Sequence, residues 1–320
     1  NPLTSKFGIA QNDLGRILEK LELQGLSITN ESNLGLGSNN LLFIAAEMLL
    51  LKKDSGYVGL KLSLIEEIEA HLHPQSQLNL IDFLNKQSKS LGFQSIISSH
   101  SNSLASKVDL NNLILCKDGN AYSLRKGETE LSNGDYEFLR RFLDNTKANL
   151  FFANGVIIVE GDAENLIIPT LAEYIGFPLH KHGVSIVNVG STALLRYAKI
   201  FQRKDGNGMG IKVSCITDRD IPPKEGKEFT YEIKRRVTGV IEQVSLLSDN
   251  RKTEDEYSTQ EIAEIVSKKK AKYGGADVQV FLPNTWTLEY EIARSCLRNA
   301  IHKSILLALE TNDLEEVIDK

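Results

Sequence analysis

The order of apolar runs and helical stretches after residue 154 is the feature of this sequence that most constrains its fold. Four short apolar runs read VIIVE, VSIVNVG, IKVSCITDRD and DVQVFLP, and glycine-marked turns and helical patterns separate them. Strands that alternate with helices form a parallel sheet, because each helix returns the chain to the same edge of the sheet. We therefore expect an α/β fold in this part of the chain, with helices flanking a parallel sheet.

Carboxylates stand where two of these runs end. Glu160 ends the first run and Glu164 follows on the first helical turn, while Asp218 and Asp220 close the third run on one side of an extended segment. Ligands bind beyond the carboxyl ends of parallel strands. Clustered carboxylates repel one another without a cation, and hard oxygen ligands select Mg²⁺ or Mn²⁺. The pattern predicts a metal site at this edge. The alternative is a group of exposed acids that cap an ordinary sheet.

Three earlier stretches form a second pattern. GLGSNNLLFIAAEMLLL leads from a glycine–serine turn into an apolar helix, LSLIEE ends a strand on two carboxylates, and QSIISSH ends a strand on a histidine. Backbone N–H groups at a helix start attract anions. Each stretch alone also fits an ordinary turn, solvated acids or a structural histidine. The residues in question are Gly35, Gly37, Ser38, Glu66, Glu67 and His100.

Together and in this order, the three stretches resemble the C-terminal lobe of an SMC-like ABC ATPase head. The resemblance covers residues 30 to 130 and implies that the glycine–serine turn is the signature motif. It also implies that Glu66 serves a hydrated Mg²⁺, that Glu67 orients the attacking water and that His100 senses the γ-phosphate. Because signature residues of this family serve the nucleotide of a second subunit, the resemblance implies a homodimer.

One part of such an ATPase is absent from the sequence. No G-x-x-x-x-G-K-[ST] motif occurs, and the nearest text, GNGMGIKV from Gly206, has neither the spacing nor the hydroxyl residue. The chain begins with Asn1, so we expect it to be a fragment whose preceding ATPase part lies upstream. We therefore expect ATP to be a cofactor of the full-length protein only.

The acids of the second half resemble those of a Toprim domain, which has a glutamate after its first strand and a DxD motif after its third. An SMC-like ATPase part followed by Toprim resembles the OLD (overcoming lysogenization defect) family of ATP-dependent nucleases. The resemblance implies an ATPase part in residues 1–150 and a Toprim nuclease domain with a helical insertion in residues 151–320. By analogy, the catalytic acids are Glu160, Asp218 and Asp220, and the metal ligands are Glu160, Glu164, Asp218, Asp220 and Glu289. Family nucleases also use a lysine near the site, which the sequence does not identify.

The implied reaction is hydrolysis of DNA phosphodiester bonds by two metal ions about 4 Å apart. Because the net charge is −5, DNA has to be held by local basic patches, each of which also reads as a solvated helix face. The candidates are Arg203, Lys204, Lys234, Arg235, Arg236, Lys268, Lys269 and Lys270. Two alternatives remain: a Toprim module of the recombination-mediator type that binds DNA without cutting, and an SMC-like ATPase with a passive Toprim appendage.

Composition sets the remaining expectations. A chain of 320 residues exceeds the usual size of a single domain, and 41% hydrophobic residues suffice for ordinary cores. Three widely spaced cysteines and the lack of a long apolar run favour a reduced, cytoplasmic setting without a membrane span. The substrate structure, a helicase-like partner, and the choice between phage defence and DNA repair stay open.

Overall fold

A computed structural model describes residues 26–27, 30–31, 35–53, 59–190, 193–228, 230–234, 241–245, 247 and 251–309 of the chain. The chain divides into two compact units, Asn1–Leu104 and Ala105–Lys320. Both units combine helices with parallel strands, which confirms the predicted α/β class. No described helix is long and apolar enough to cross a membrane.

The first unit contains a pair of parallel strands joined by a helix. Its described elements are β1 (Leu26–Ser27), β2 (Asn30–Glu31), α1 (Leu36–Lys53), β3 (Leu62–Ile65), α2 (Pro74–Leu91) and β4 (Gln94–Ile97). Strands β3 and β4 run parallel, with Leu62 opposite Gln94 and Ile65 opposite Ile97. Helix α2 begins at a proline, whose missing N–H is not needed there, and stops at Gly92 in a left-handed conformation with φ 67°.

The second unit contains the larger sheet. Its described helices and strands are α3 (Asn102–Lys107, which begins before the boundary), β5 (Ile114–Lys117), β6 (Asn120–Ser123), α4 (Asn133–Phe142), β7 (Gly155–Val159), α5 (Asp162–Tyr174), β8 (Val184–Asn188), α6 (Leu194–Ala198), β9 (Lys212–Ile216), β10 (Thr230–Lys234), β11 (Ile241–Ser245), α7 (Thr259–Tyr273), β12 (Val278–Phe281), α8 (Leu288–Arg294) and α9 (Arg298–Leu309).

Four parallel strands form this sheet in the order β12–β9–β7–β8. They are the four apolar runs of the sequence, so the predicted parallel sheet is confirmed. Strand β7 is central, and Val156, Ile158 and Val159 are buried in it. Because all four strands point the same way, their carboxyl ends lie along one edge.

Residues 105–150 pack into the second unit. Leu124, Leu139 and Leu150 are fully buried and belong to the same hydrophobic cluster as Ile158 and Tyr197. The assignment of residues 1–150 to an ATPase part and of residues 151–320 to a Toprim domain stays a prediction. The packing shows that residues 105–150 supply core residues to the second unit.

An insertion of about 50 residues separates β9 from β12, spanning 224 to 273. It contains an antiparallel hairpin, in which β10 pairs with β11 from Thr230↔Ser245 to Lys234↔Ile241, and then the 15-residue helix α7. We expected a helical insertion, and the described part has a short 3₁₀ helix at Lys224–Lys227 and the hairpin in its first half, while its α-helix lies in the second half. Helix α7 begins with a capping box between Ser258 and Glu261, which satisfies free N–H groups at its start.

Candidate functional site

The carboxyl ends of β7 and β9 bring the predicted acids together. Ile158 of β7 lies opposite Cys215 of β9, so the residues two positions further on, Glu160 and Thr217, leave the sheet side by side. The Thr217 hydroxyl donates a hydrogen bond to Glu160 Oε1. We name the five predicted metal ligands the acid edge: Glu160, Glu164, Asp218, Asp220 and Glu289.

Glu160 is half-buried at the tip of the central strand. Burial raises the pKa of its carboxyl group, and the negative charges of Asp220 and Glu164 raise that pKa further. The hydrogen bond from Thr217 and the positive charge of Lys269 act in the opposite direction. Glu160 therefore lies close enough to both Asp220 and Glu164 to interact with them electrostatically.

Burial and neighbouring negative charges raise the pKa of Asp218 as well. Burial raises the pKa of its carboxyl group to about 6, and the charges of Glu289, Glu160 and Asp220 contribute in the same direction. The backbone N–H of Leu288, at the start of α8, donates to Asp218 Oδ1 at 3.2 Å and partly offsets the rise. Asp218 is thus coupled to carboxylates that follow three different strands of the sheet.

Asp220 corrects one detail of the sequence interpretation. Strand β9 ends at Ile216, and Asp220 has a left-handed backbone with φ 64°, so the DxD segment turns instead of staying extended. The N–H groups of Arg219 and Asp220 both donate to the carbonyl of Trp286, at 3.1 and 3.3 Å. Aspartate tolerates this conformation better than most residues. The exposed Asp220 carboxylate pairs with the ammonium group of Lys269.

Glu164 lies on the first turn of α5, where its side chain is buried. A Cβ atom at Gly161 would come within 3.2 Å of Glu164 Oε2, so the glycine leaves room for this carboxylate. Glu289 lies on the first turn of α8 and is exposed. Both residues therefore lie on the first turns of helices that follow sheet strands.

The chemistry of these donors fits a hard divalent cation, because mutually repelling carboxylates at a sheet edge are what such a cation neutralises. Their present arrangement is not a closed cage. Among the described residues, no three His, Cys, Asp or Glu side chains are grouped so that they could hold a metal ion. Glu160, Asp218 and Asp220 instead each accept a hydrogen bond from the protein. The assignment of metal ligands and catalytic acids stays a prediction.

The predicted ATPase residues lie at two places in the first unit. Helix α1 begins at Leu36, so Gly37 and Ser38 form its first turn just after Gly35. A Cβ atom at Gly37 would lie 2.3 Å from the His71 carbonyl oxygen, which makes glycine necessary for this close approach. The Asn40 amide also donates to the carbonyl of Ala70, at 3.3 Å.

The ends of β3 and β4 bring the other three ATPase residues to one edge. Glu66 and Glu67 follow β3, and His100 comes three residues after β4 ends. The N–H of Glu67 donates to Ser98 Oγ at 3.2 Å, and the N–H of His100 donates to Glu69 Oε1 at 2.5 Å. Glu69 therefore holds the histidine segment beside the two carboxylates.

The predicted basic patches differ in availability. Arg203 already pairs with Glu128 and Asp205, at 3.2 and 2.9 Å, whereas Lys204 is exposed. Within the lysine run of α7, Lys268 and Lys270 are exposed but Lys269 turns toward the acid edge. Lys234 is the last residue of β10. Arg235 and Arg236 lie outside the described residues.

Comparison with known families indicates which type of domain contains most of the acid edge. Residues 151–220 match the family model described as overcoming lysogenization defect protein-like, TOPRIM domain. This segment is an OLD-like Toprim domain. Residues 4–105 match the model of an AAA ATPase domain, so the ATPase resemblance of the first half is also confirmed.

Similar proteins agree with this family. The chain is 30% identical to the Old nuclease of Escherichia phage P2 over 57% of its own length and 32% of that protein. It is 26% identical to endonuclease GajA of Bacillus cereus (strain HuB5-5) over 65% of its length and 34% of that protein. The chain thus spans about a third of the length of these relatives.

Among solved structures, the C-terminal region of the Xanthomonas campestris pv. campestris OLD protein is 26% identical. The match covers 49% of this chain and 64% of that region, with a TM-score of 0.28. A score this low carries no weight for the fold, so the Toprim assignment rests on the family match.

Two residues around the Toprim acids were missed in the sequence, and a third, Lys269, was predicted only as a DNA contact. Thr217 precedes the DxD motif as an ordinary strand residue, Arg219 stands between its two acids, and Lys269 is hidden in a run of lysines. Thr217 and Arg219 are both buried. The arginine between the two acids was the one signal that the sequence offered, and its burial in the structure fits a paired role, since arginine is almost never fully buried unless paired.

Proposed function

We propose that this chain is a metal-dependent nuclease that cleaves DNA phosphodiester bonds at the acid edge of its Toprim domain. The observation that carries the proposal is the environment of the Asp218 carboxyl group. Its half-buried carboxyl group has a pKa raised to about 6 and is coupled to Glu160, Asp220 and Glu289 at the carboxyl ends of parallel strands. Perturbed acids at such a position favour a functional site over a structural one. The relatives named nuclease and endonuclease support the same conclusion.

The residues that would hold Mg²⁺ or Mn²⁺ are those of the acid edge. When bound there, these ions would supply activation of a water molecule and stabilisation of negative charge on the leaving oxygen. The chain itself orients the ligands: the Thr217 hydroxyl fixes Glu160, and the N–H of Leu288 fixes Asp218. No side-chain nucleophile is needed, because water attacks the phosphorus.

The ATPase part is proposed to act only in the full-length protein. Glu66, Glu67 and His100 lie at one edge of the first unit, with Glu69 holding the histidine segment. With ATP bound, we expect the signature turn at Gly35 to serve the partner subunit of a homodimer. A cytoplasmic location, a helicase-like partner, and a role in phage defence or DNA repair are further parts of this proposal.

The test is cleavage of supercoiled plasmid by the purified chain with Mg²⁺ or Mn²⁺, with and without EDTA. Wild type should nick or linearise the plasmid only with the metal, and E160A and D218N should not. A matched control is D118N, because Asp118 lies in the β5–β6 turn with a left-handed φ of 49° that asparagine also adopts. Cleavage that persists in EDTA, or equal activity of D218N and D118N, would contradict the proposal.

A second candidate is a Toprim module that binds DNA without cutting it. It is favoured by the lack of a ready metal cage among the described residues, where each principal acid has a protein partner. The same assay separates the two functions. A band shift with plasmid fragments in Mn²⁺, without any product over hours, would identify the binding module. A passive Toprim appendage would show neither effect.

A further inference from the structure

The insertion before β12 is fastened to the DxD turn by three side chains. Arg219, buried between the two acids, pairs with Glu254 at 2.9 Å from Nη2 to Oε1, although the buried Nη2 is not aligned for a hydrogen bond. Arg251 donates to the carbonyl of Asp220 at 3.2 Å. Lys269 of α7 donates to the carbonyl of Asp218 at 2.8 Å and to the Asp220 carboxylate. The insertion therefore contacts the turn through both main chain and side chain.

Lys269 differs sharply from its neighbours in the lysine run. Its side chain is 23% exposed, whereas that of Lys268 is 80% exposed and pairs with Glu264 at 3.8 Å. Four residues later on the same helical face, Tyr273 is buried in the core of the second unit. The burial of Tyr273 fixes the rotation of α7, and that rotation aims Lys269 at the DxD turn.

We propose that Lys269 is a positioning residue of the acid edge: its ammonium group holds the Asp218–Asp220 turn in place and balances the negative charge of that turn. The proposal rests on the proposed function, since it assigns the insertion helix a part in the same site. It also separates Lys269 from the DNA-contacting role that we predicted for the whole lysine run.

The geometry gives this role two measurable consequences. The bond to the Asp218 carbonyl fixes the main chain of the turn, so its loss should let the acids depart from their productive arrangement and slow cleavage. The ion pair with Asp220 places a positive charge beside the carboxylates, which repels a divalent cation. Its loss should therefore strengthen metal binding. Tighter metal binding together with slower cleavage is a combination that a merely structural lysine would not produce.

The experiment compares K269Q, K269M, K269R and K268Q in the whole chain, after melting curves establish that each variant is folded. Mn²⁺ binding is measured by calorimetry without DNA, and plasmid cleavage is measured at saturating Mn²⁺. We expect K269Q and K269M to bind Mn²⁺ roughly tenfold more tightly and to cleave at least about tenfold more slowly. K269R should keep the Mn²⁺ affinity of wild type and recover part of the cleavage. K268Q should keep the Mn²⁺ affinity of wild type.

Two results would overturn the proposal. The first is an unchanged or weaker Mn²⁺ affinity in both uncharged variants of Lys269. The second is an equal loss of plasmid cleavage in K269Q and K268Q with no difference in Mn²⁺ binding, which would make Lys269 a phosphate contact like its exposed neighbour. If the wild-type chain cleaves nothing, the proposed function fails, and the Mn²⁺ measurement still decides whether Lys269 balances the acid edge.

Discussion

The hydroxyl of Thr217 donates to the carboxylate of Glu160 across the adjacent ends of β9 and β7. Thr217 is 2% exposed, so its hydroxyl has little access to water as an alternative partner. Since Thr217 and Glu160 belong to neighbouring parallel strands, the bond ties together the two halves of the acid edge. It also holds the Glu160 side chain in one rotamer, although burial disfavours the charged form of that carboxyl group.

Replacement of Thr217 by valine keeps the shape of the side chain but removes this donor. We expect T217V to lower the free energy of unfolding by about 1–2 kcal/mol, because a half-buried carboxylate loses a hydrogen bond. Plasmid cleavage should fall as well, and T217S should retain most of both properties. Urea unfolding and the plasmid assay measure the two effects. A T217V protein as stable and active as wild type would show that Glu160 needs no such support.

The raised pKa of Asp218 predicts a pH dependence of stability without metal. The folded chain holds the Asp218 proton up to a pH of about 6, whereas the unfolded chain releases it near the ordinary value of 3.8. The favourable contribution of the proton is therefore present below that ordinary value and is lost as the pH rises from about 4 to about 6. D218N should remove this component. Because solvent screens part of this effect at a half-exposed carboxyl group, the difference in unfolding free energy between D218N and wild type should grow by about 1–2 kcal/mol across this window.

Carboxylates that do not interact with Asp218 complicate the absolute curve but not this difference. Hydrogen bonds within the Asp144 turn and the charge of Lys147 overcome burial and lower the pKa of Asp144 to about 2, so its contribution has the opposite sign. Comparing D218N with wild type in EDTA cancels Asp144. A difference that stays constant from pH 4 to pH 7 would contradict the raised pKa of Asp218.

Two glycines at the start of α1 allow a matched pair of variants that tests the packing of the first unit. A Cβ atom at Gly37 would meet the His71 carbonyl at 2.3 Å, whereas one at Gly35 would have no neighbour within 4 Å. We expect G37A to destabilise the first unit by about 1–3 kcal/mol, because the main chain near His71 has to move. G35A should change the stability little. Equal melting of the two variants would mean that α1 does not pack on this carbonyl.

The ATPase motifs predict an inactive nucleotide site in this chain. Because the sequence contains no phosphate-binding loop with its lysine, the chain should release no phosphate from ATP. E67Q should then leave plasmid cleavage unchanged, while D218N should abolish it. Phosphate release that disappears in E67Q would show that residues of this chain alone suffice for ATP hydrolysis.

Much of the sheet and of its acid edge could be predicted from the sequence. The run VIIV is apolar throughout, which is typical of a strand covered on both faces, and Glu160 follows it directly. Asp218 comes two residues after the end of the third run, KVSCI. Because parallel strands end at a common edge, proximity of these acids followed from topology alone. The Asp-Gly pair at residues 118–119 marks a tight turn, and β5 and β6 pair around it.

The missed features depend on long-range packing. The turn at Asp220 forms because two N–H groups find the carbonyl of Trp286, far along the chain. The orientation of Lys269 depends on the rotation of α7, which the burial of Tyr273 sets and which three consecutive lysines cannot reveal. The hairpin of the insertion was missed because TYEIK and IEQVS alternate too briefly to be separated from a helical pattern.

The burial of Leu124 and Leu139 in the second unit restricts where this protein can exchange parts during evolution. The matched Toprim segment starts at residue 151, yet these leucines belong to the cluster that surrounds Ile158. A recombination event at residue 150 would give the new partner a Toprim half with an open core, at a cost of roughly 1.5–3 kcal/mol for each lost leucine. An exchange of the ATPase part that keeps this core has to break the chain before Ala105, so residues 105–150 are inherited with the Toprim half.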